Sequence, residues 1–264
     1  MAVTEIVHDT GELDGVVELV VESPPVNAYS IGDLARLTTL LRSYRERESV
    51  RAVVLRAEGR GFCGGGDLKE VQGLPGFGGI LGQARGSQDT SLAIADCAVP
   101  VIGCVHNYCV GLGMLLVGTC DVLIGVTGTR FVLAEVDNGA TTGGVQVLGL
   151  LPERRMRSAM FTCEPVDIAE LAAYGSVYRV EPTPDAATAT ALAVAATIAA
   201  KAPRVVRAMK LALNNTARRD LYTLYRQELS YTFELNMLGD ARDARQTFLD
   251  GTRESYLNGG GAPV

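Results

Sequence analysis

One stretch constrains this chain more than any other: Arg60-Gly61-Phe62-Cys63-Gly64-Gly65-Gly66-Asp67-Leu68-Lys69-Glu70. It follows Ala52-Val53-Val54-Leu55-Arg56, a short apolar run rich in β-branched residues that reads as a buried strand. Three consecutive glycines after a strand allow backbone angles that a Cβ forbids. They also let main-chain N–H groups approach a ligand closely, which builds an anion pocket without charged side chains. Taken alone, the same glycines also suit a tight surface turn.

The rest of the chain in order predicts alternating strands and helices, hence an α/β architecture. Val16 to Val21 reads as a strand ended by Ser23-Pro24-Pro25. Ser30 is a candidate helix cap, and Leu34, Leu37, Leu40 and Leu41 recur at helical spacing, which predicts a helix over about Ile31 to Glu48. Gly73 to Gly86 is glycine-rich with few large apolar residues and is expected to be a mobile loop. Gln88 to Asp96 looks helical, Val99 to Val105 is an apolar strand, a buried helix begins at Gly111 to Leu116, and Val117 to Val126 contains another strand. Leu148 to Thr162 reads as helix broken at Pro152, and Pro165 or Asp167 opens the next. From Pro184 the pattern is helical throughout: Ala186 to Lys201, Val205 to Asn215, Tyr222 to Leu238 and Ala241 to Leu249. Residues 1–183 are thus expected to form the core with the binding site. Residues 184–257 form a helical C-terminal region, and 258–264 a disordered tail.

Composition excludes several functions. At 47% hydrophobic and 20% charged the chain is globular. A net charge of −6, without long basic runs, argues against a nucleic-acid partner. The six cysteines lie mostly in apolar runs without metal-ligand spacing and read as free thiols of a reducing cytosol. No secretory signal and no membrane span is expected. The two histidines, His8 and His106, leave few bases for a serine triad, and there is no Gly-x-Ser-x-Gly elbow. His106 reads as a packed strand-end residue.

The central stretch resembles the "A-F-C-A-G-A-D-L-K" signature of the enoyl-CoA hydratase/isomerase (crotonase) superfamily. Asn107-Tyr108-Cys109-Val110-Gly111-Leu112-Gly113, running on to Thr119-Cys120-Asp121, resembles its second signature, and Phe131-Val132-Leu133-Ala134-Glu135-Val136-Asp137-Asn138-Gly139 its third. Asn27-Ala28-Tyr29-Ser30 resembles the family's "P-x-x-N-A" turn. The resemblance runs from about Val16 to Arg253. It implies a spiral of repeated β-β-α turns, an acyl-CoA substrate whose coenzyme A is no separate cofactor, a helical end packed on the core or on a neighbouring subunit, and a homotrimer or dimer of trimers.

The resemblance also assigns residues. The backbone N–H groups of Gly66 and Leu112 would form an oxyanion hole for a thioester enolate, each donor worth roughly 3–4 kcal/mol. Ala28, Gly64, Gly66, Asp67, Leu68, Lys69 and Leu112 would contact substrate or CoA. At the middle of Gly111-Leu112-Gly113 the family usually has Gly. Family hydratases use two glutamates. Here the first position is Leu115 and the second is Glu135, with Asp137 as a nearby backup. The apolar neighbours of Glu135 should raise its pKa and suit it to proton transfer or water activation. One carboxylate fits isomerisation, decarboxylation or C–C hydrolysis of a β-dicarbonyl more naturally than hydration.

Glu58-Gly59-Arg60-Gly61-Phe62, Cys97 to Ile102 and Tyr231-Thr232-Phe233-Glu234-Leu235-Asn236 are similar to the crotonase-like hydrolases that open fused rings in bacterial steroid breakdown. This implies a bulky cyclic acyl group. A fold that binds acyl-CoA without turnover is the competing reading, and an RNA-binding member is disfavoured by the acidic charge.

Overall fold

Each long strand enters one sheet, and the short strand after it leaves that sheet to build a second layer. The computed structural model describes residues 3–217 and 220–252. In chain order the first part is β1 (Val3–Val7), β2 (Val16–Val21), β3 (Ala28–Tyr29), α1 (Ile31–Ser43), β4 (Ala52–Ala57), β5 (Gly65–Gly66), α2 (Leu68–Gly73), α3 (Gly78–Ala95), β6 (Val101–Val105), β7 (Tyr108–Val110) and α4 (Leu112–Val117). It continues with β8 (Val122–Val126), β9 (Arg130–Val132), α5 (Gly144–Val147), α6 (Glu153–Thr162), β10 (Val166–Asp167), α7 (Ile168–Ala173), β11 (Arg179–Glu181), α8 (Pro184–Ala199), α9 (Pro203–Ala217), α10 (Leu221–Leu238) and α11 (Asp240–Leu249).

The large sheet has the order β1-β2-β4-β6-β8-β11, parallel from β2 onward, with β1 antiparallel at the edge. The short strands pair separately: β3 with β5, and β9 with both β7 and β10. Successive β-β-α turns therefore stack along the chain as a spiral.

Strand side chains alternate between two buried faces. Val17, Leu19, Val53, Leu55, Val101 and Leu123 face the core that α1, α3 and α4 close. Val16, Ala52, Val54, Ile102 and Ile124 face α8, which offers Ala187, Ala191, Ala195 and Ala199. Four alanines at four-residue spacing let that helix lie close on the sheet. On α9, Lys210 is buried and its Nζ donates to Asp121 Oδ2 at 2.7 Å and to the Val99 and Ile94 carbonyls.

Three expectations are corrected. The first helix ends at Ser43 rather than Glu48. The carbonyls of Tyr44, Arg47 and Val50 are instead held by the Arg207 guanidinium from α9, each at 3.2 Å. The glycine-rich segment from Gly73 to Gly86 is mostly helix, entering α3 at Gly78. Its glycines are close-packing positions: a Cβ on Gly79 would lie 2.1 Å from the Val71 carbonyl oxygen, and one on Gly82 would lie 2.5 Å from Ile31 Cδ1. The helix expected from Leu148 begins only at Glu153, with Pro152 as its N-cap.

The caps read from the sequence are present. Ser30 forms a reciprocal capping box with Asp33, and Asp167 rather than Pro165 caps α7. Among the described residues no single helix is long and apolar enough to cross a membrane. The expected tail at 258–264 lies outside the described residues.

Candidate active site

Three chain segments converge on one cavity. The first is the glycine loop. Asn27, buried beside it, donates from Nδ2 to the Gly61 and Glu58 carbonyls at 2.7 Å and accepts from the Ser23 N–H at 2.7 Å. β3 lies along β5, with the Tyr29 carbonyl accepting from Asp67 N–H at 3.0 Å rather than from Gly66. A Cβ on Gly66 would lie 2.5 Å from Gln83 Nε2, so the glycine lets that side chain close over the loop.

The second segment is the start of α4. Gly111 adopts φ 48° and ψ −113° and donates to the Val132 carbonyl at 2.8 Å. That conformation favours glycine, and it turns the chain into a helix whose first residue is Leu112. The Leu112 N–H has no partner within the helix, because the first turn has no preceding carbonyls. Its side chain is buried and forms part of the cavity wall.

The third segment carries the carboxylate. Glu135 follows β9 and enters a short 3-10 turn at Val136–Asn138, braced by Asn138 Nδ2 donating to the Ala134 carbonyl at 2.8 Å. Glu135 is buried, at 7% exposure, and none of the described residues donates to its Oε2. A Cβ on Gly111 would lie 3.2 Å from Glu135 Oε1, which places the carboxylate over the entry to α4. Burial pushes its pKa up to about 8, and the nearby Glu228 carboxylate adds to the rise. Glu228 itself is committed elsewhere, accepting from the Gly143 and Val145 N–H groups at 3.0 Å each. Leu115, 2% exposed, also lines the cavity.

Of the residues expected here, Gly64, Gly66, Leu68, Leu112 and Glu135 share this cavity. Ala28, Asp67 and Lys69 are not among its walls. Ala28 pairs with Gly65 behind the loop. Asp67 caps α2, its Oδ1 accepting from the Lys69 and Glu70 N–H groups at 3.0 Å. Lys69 is exposed. Asp137 lies in the 3-10 turn but outside the walls, and His106 hydrogen-bonds the Gly59 carbonyl at 3.1 Å.

The sequence reading missed the cavity's other walls: Gln83 and Ser87 from α3, Tyr225, Leu229 and Thr232 from α10, and Arg245 from α11. The α10 trio has the spacing of one helix face, a signal that equally describes core packing.

Residues 11–256 match the family model described as Enoyl-CoA hydratase/isomerase. The chain belongs to this family. It is thereby an acyl-CoA-transforming enzyme of the crotonase fold. A relative from Rhodococcus jostii (strain RHA1), named (7aS)-7a-methyl-1,5-dioxo-2,3,5,6,7,7a-hexahydro-1H-indene-carboxyl-CoA hydrolase, is 38% identical over 96% of this chain and 98% of its own. A Mycobacterium tuberculosis relative of the same name is 40% identical over 89% of this chain and 95% of its own.

Among solved structures, an enoyl-CoA hydratase of Mycobacterium smegmatis superposes with a TM-score of 0.76 at 28% identity, over 95% of this chain and 96% of that one. An enoyl-CoA hydratase/isomerase from Pseudoalteromonas atlantica T6c shares the fold, with a TM-score of 0.82 at 20% identity, over 97% and 99% of the two chains. Within the family's frame, this member brings Gly66, Leu112 and the carboxylate of Glu135 to the walls of one cavity.

Proposed function

We propose that this enzyme hydrolyses a carbon–carbon bond in the ring of a cyclic β-dicarbonyl-CoA, leaving the thioester intact. The observation that carries the reading is one buried, high-pKa carboxylate, Glu135, lying over the α4 entry with Leu115 in the second carboxylate's place. The two relatives named as indene-carboxyl-CoA hydrolases support it.

In this mechanism Glu135, deprotonated, takes a proton from water as the water oxygen bonds to the ring ketone carbon. The adjacent ring C–C bond then breaks, and its electron pair moves into the thioester as an enolate. The Gly66 and Leu112 N–H groups receive that oxyanion. Glu135 returns the proton to the α-carbon, and the ketone carbon emerges as a carboxylic acid that loses the water's second proton to solvent, leaving a carboxylate. One carboxylate suffices because the same proton is taken and given back.

The test uses 2-oxocyclohexane-1-carboxyl-CoA and an oxo-indene-carboxyl-CoA, with products read by NMR and mass. Ring hydrolysis of the first gives pimeloyl-CoA. The expected result is a new carboxylate with CoA still attached, abolished in Glu135→Gln. Release of free CoA thiol would mean thioester hydrolysis and would overturn the reading, as would a β-hydroxyacyl product from linear enoyl-CoAs alone. Binding without any product would favour a non-catalytic acyl-CoA binder.

The enzyme is further read as a cytoplasmic homotrimer or dimer of trimers. Six free thiols support the first assignment, and exposed apolar side chains on α9 and α10 support the second.

A further inference from the structure

Arg245 is a buried cation without an anion. It is 5% exposed and lines the same cavity as Glu135. Its Nε and Nη2 both donate to Gln72 Oε1 at 3.3 Å, its Nη1 to the Asn138 carbonyl at 3.3 Å, and its Nη2 to Asn236 Oδ1 at 2.7 Å. Every one of these acceptors is neutral. The other strongly buried cation, Lys210, and the largely buried Arg56 each pair with a carboxylate, Asp121 and Glu18. Among the described residues Arg245 has none.

A guanidinium keeps its proton, so this charge persists in a low-dielectric wall. Burying an unpaired charge is costly, and neutral acceptors offset only part of the cost. Nη1 has two N–H groups, of which one is accepted by Asn138. Asn138 ends the turn that Glu135 opens, so the base and the cation are held by one short segment.

We propose that Arg245 is the receptor for the carboxylate that ring opening creates; this rests on the C–C hydrolysis reading above. The substrate ketone is neutral, whereas the water adduct and the product carry the negative charge. A fixed cation therefore interacts more strongly as the reaction advances than with the ground state. The preference would be for acyl groups that end in a carboxylate at the ring-cleavage position, as distinct from the phosphates of CoA.

Calorimetric titration of the full-length enzyme tests this with three probes: pimeloyl-CoA, its ω-methyl ester and CoA alone. The expected wild-type result is a preference of about tenfold or more for the acid over the ester, the range of a charge-assisted hydrogen bond. Arg245→Met should erase that preference while leaving ester and CoA affinities within about twofold, and Arg245→Lys should retain part of it. Should the Met variant not fold, Arg245→Gln takes its place in the same comparison.

No acid preference in the wild type, or the same preference in the neutral variants, overturns the assignment. An equal loss for all three probes also overturns it, because Arg245 would then hold a CoA phosphate or merely brace α11. The two readings fail separately. Ring opening of 2-oxocyclohexane-1-carboxyl-CoA without acid preference sinks the receptor alone. Acid preference without ring opening sinks the hydrolysis and keeps Arg245 as a receptor for acyl carboxylates.

Discussion

At the residue scale the chemistry turns on the proton of Glu135 and on the glycine beneath it. The folded enzyme holds the Glu135 proton up to about pH 8, while the unfolded chain loses it near the ordinary 4.5. Between those values the folded state binds the extra proton, so this group's contribution to stability falls as pH rises through the window. Glu135→Gln carries no titrating group and should show a flatter dependence. It should gain on the wild type by a few kcal/mol by pH 9, measured by urea denaturation at pH 5 and pH 9. Activity should move the opposite way: as a base, Glu135 makes kcat/KM climb with pH and level off near 8, and a falling profile over pH 6 to 8 would count against that role. Gly111→Ala tests the placement of the carboxylate. The new methyl would meet Glu135 Oε1 at 3.2 Å in a backbone of φ 48°, costing about 1–2 kcal/mol in stability. A drop in kcat well beyond that loss, in a folded variant by circular dichroism, is the expected signature; wild-type kcat would separate Gly111 from the site.

At the scale of elements, α3 reverses a general rule. Gly→Ala inside a helix ordinarily stabilises by about 1 kcal/mol. At Gly79 the methyl would fall 2.1 Å from the Val71 carbonyl oxygen, so Gly79→Ala should instead destabilise by about 1–3 kcal/mol in a thermal melt. A stabilised Gly79→Ala would show that α2 and α3 can separate freely. The same glycines explain why this element was illegible in the sequence. A helix-contact glycine and a loop glycine look alike until the partner backbone is known. The strands were legible because β-branched pairs such as Val53 and Val54 in β4 face apolar surroundings on both sides of the sheet. Ser30 and Asp167 read correctly because their capping bonds are local. Glu135, Gly66 and Leu112 were legible through short motifs. Arg245 was not, since it reaches the cavity from an element distant in sequence, and Gln83 lies in the glycine-rich segment that reads as a loop. The Lys210–Asp121 pair, also long-range, ties α9 to the core. Asp121 Oδ2 accepts from the Val101 N–H at 2.7 Å as well as from Lys210. Lys210→Met should therefore cost about 1–3 kcal/mol, mostly from the Ile94 and Val99 carbonyls left without their buried donor, whereas changing both Lys210 and Asp121 to apolar residues should cost less than the sum.

The whole molecule leaves a surface that one copy does not cover. On α9, Val205 and Met209, one helical turn apart, are 63% and 56% exposed, and at the end of α10 Met237 and Leu238 are 73% and 70% exposed. Scattered apolar residues on a surface need no partner; these are the side chains that the proposed trimer would cover. Of these helices, α10 also walls the cavity through Tyr225 and Leu229, so an interface at its end would share an element with the substrate site. Light scattering after size exclusion should give a mass near three or six times the 27.9 kDa chain. The double variant Val205→Glu/Met209→Glu should shift that mass toward the monomer while keeping its helical circular dichroism, because both residues lie on the exposed side of α9 while Lys210 anchors the helix inward by a buried charge. A wild-type monomer at micromolar concentration would remove the trimer from the proposal. An intact trimer in the double variant would move the interface off α9 and leave the α10 end as the face to mutate next. If the monomeric variant binds pimeloyl-CoA as tightly as the wild type, the cavity is complete within one chain, and assembly then serves stability rather than recognition.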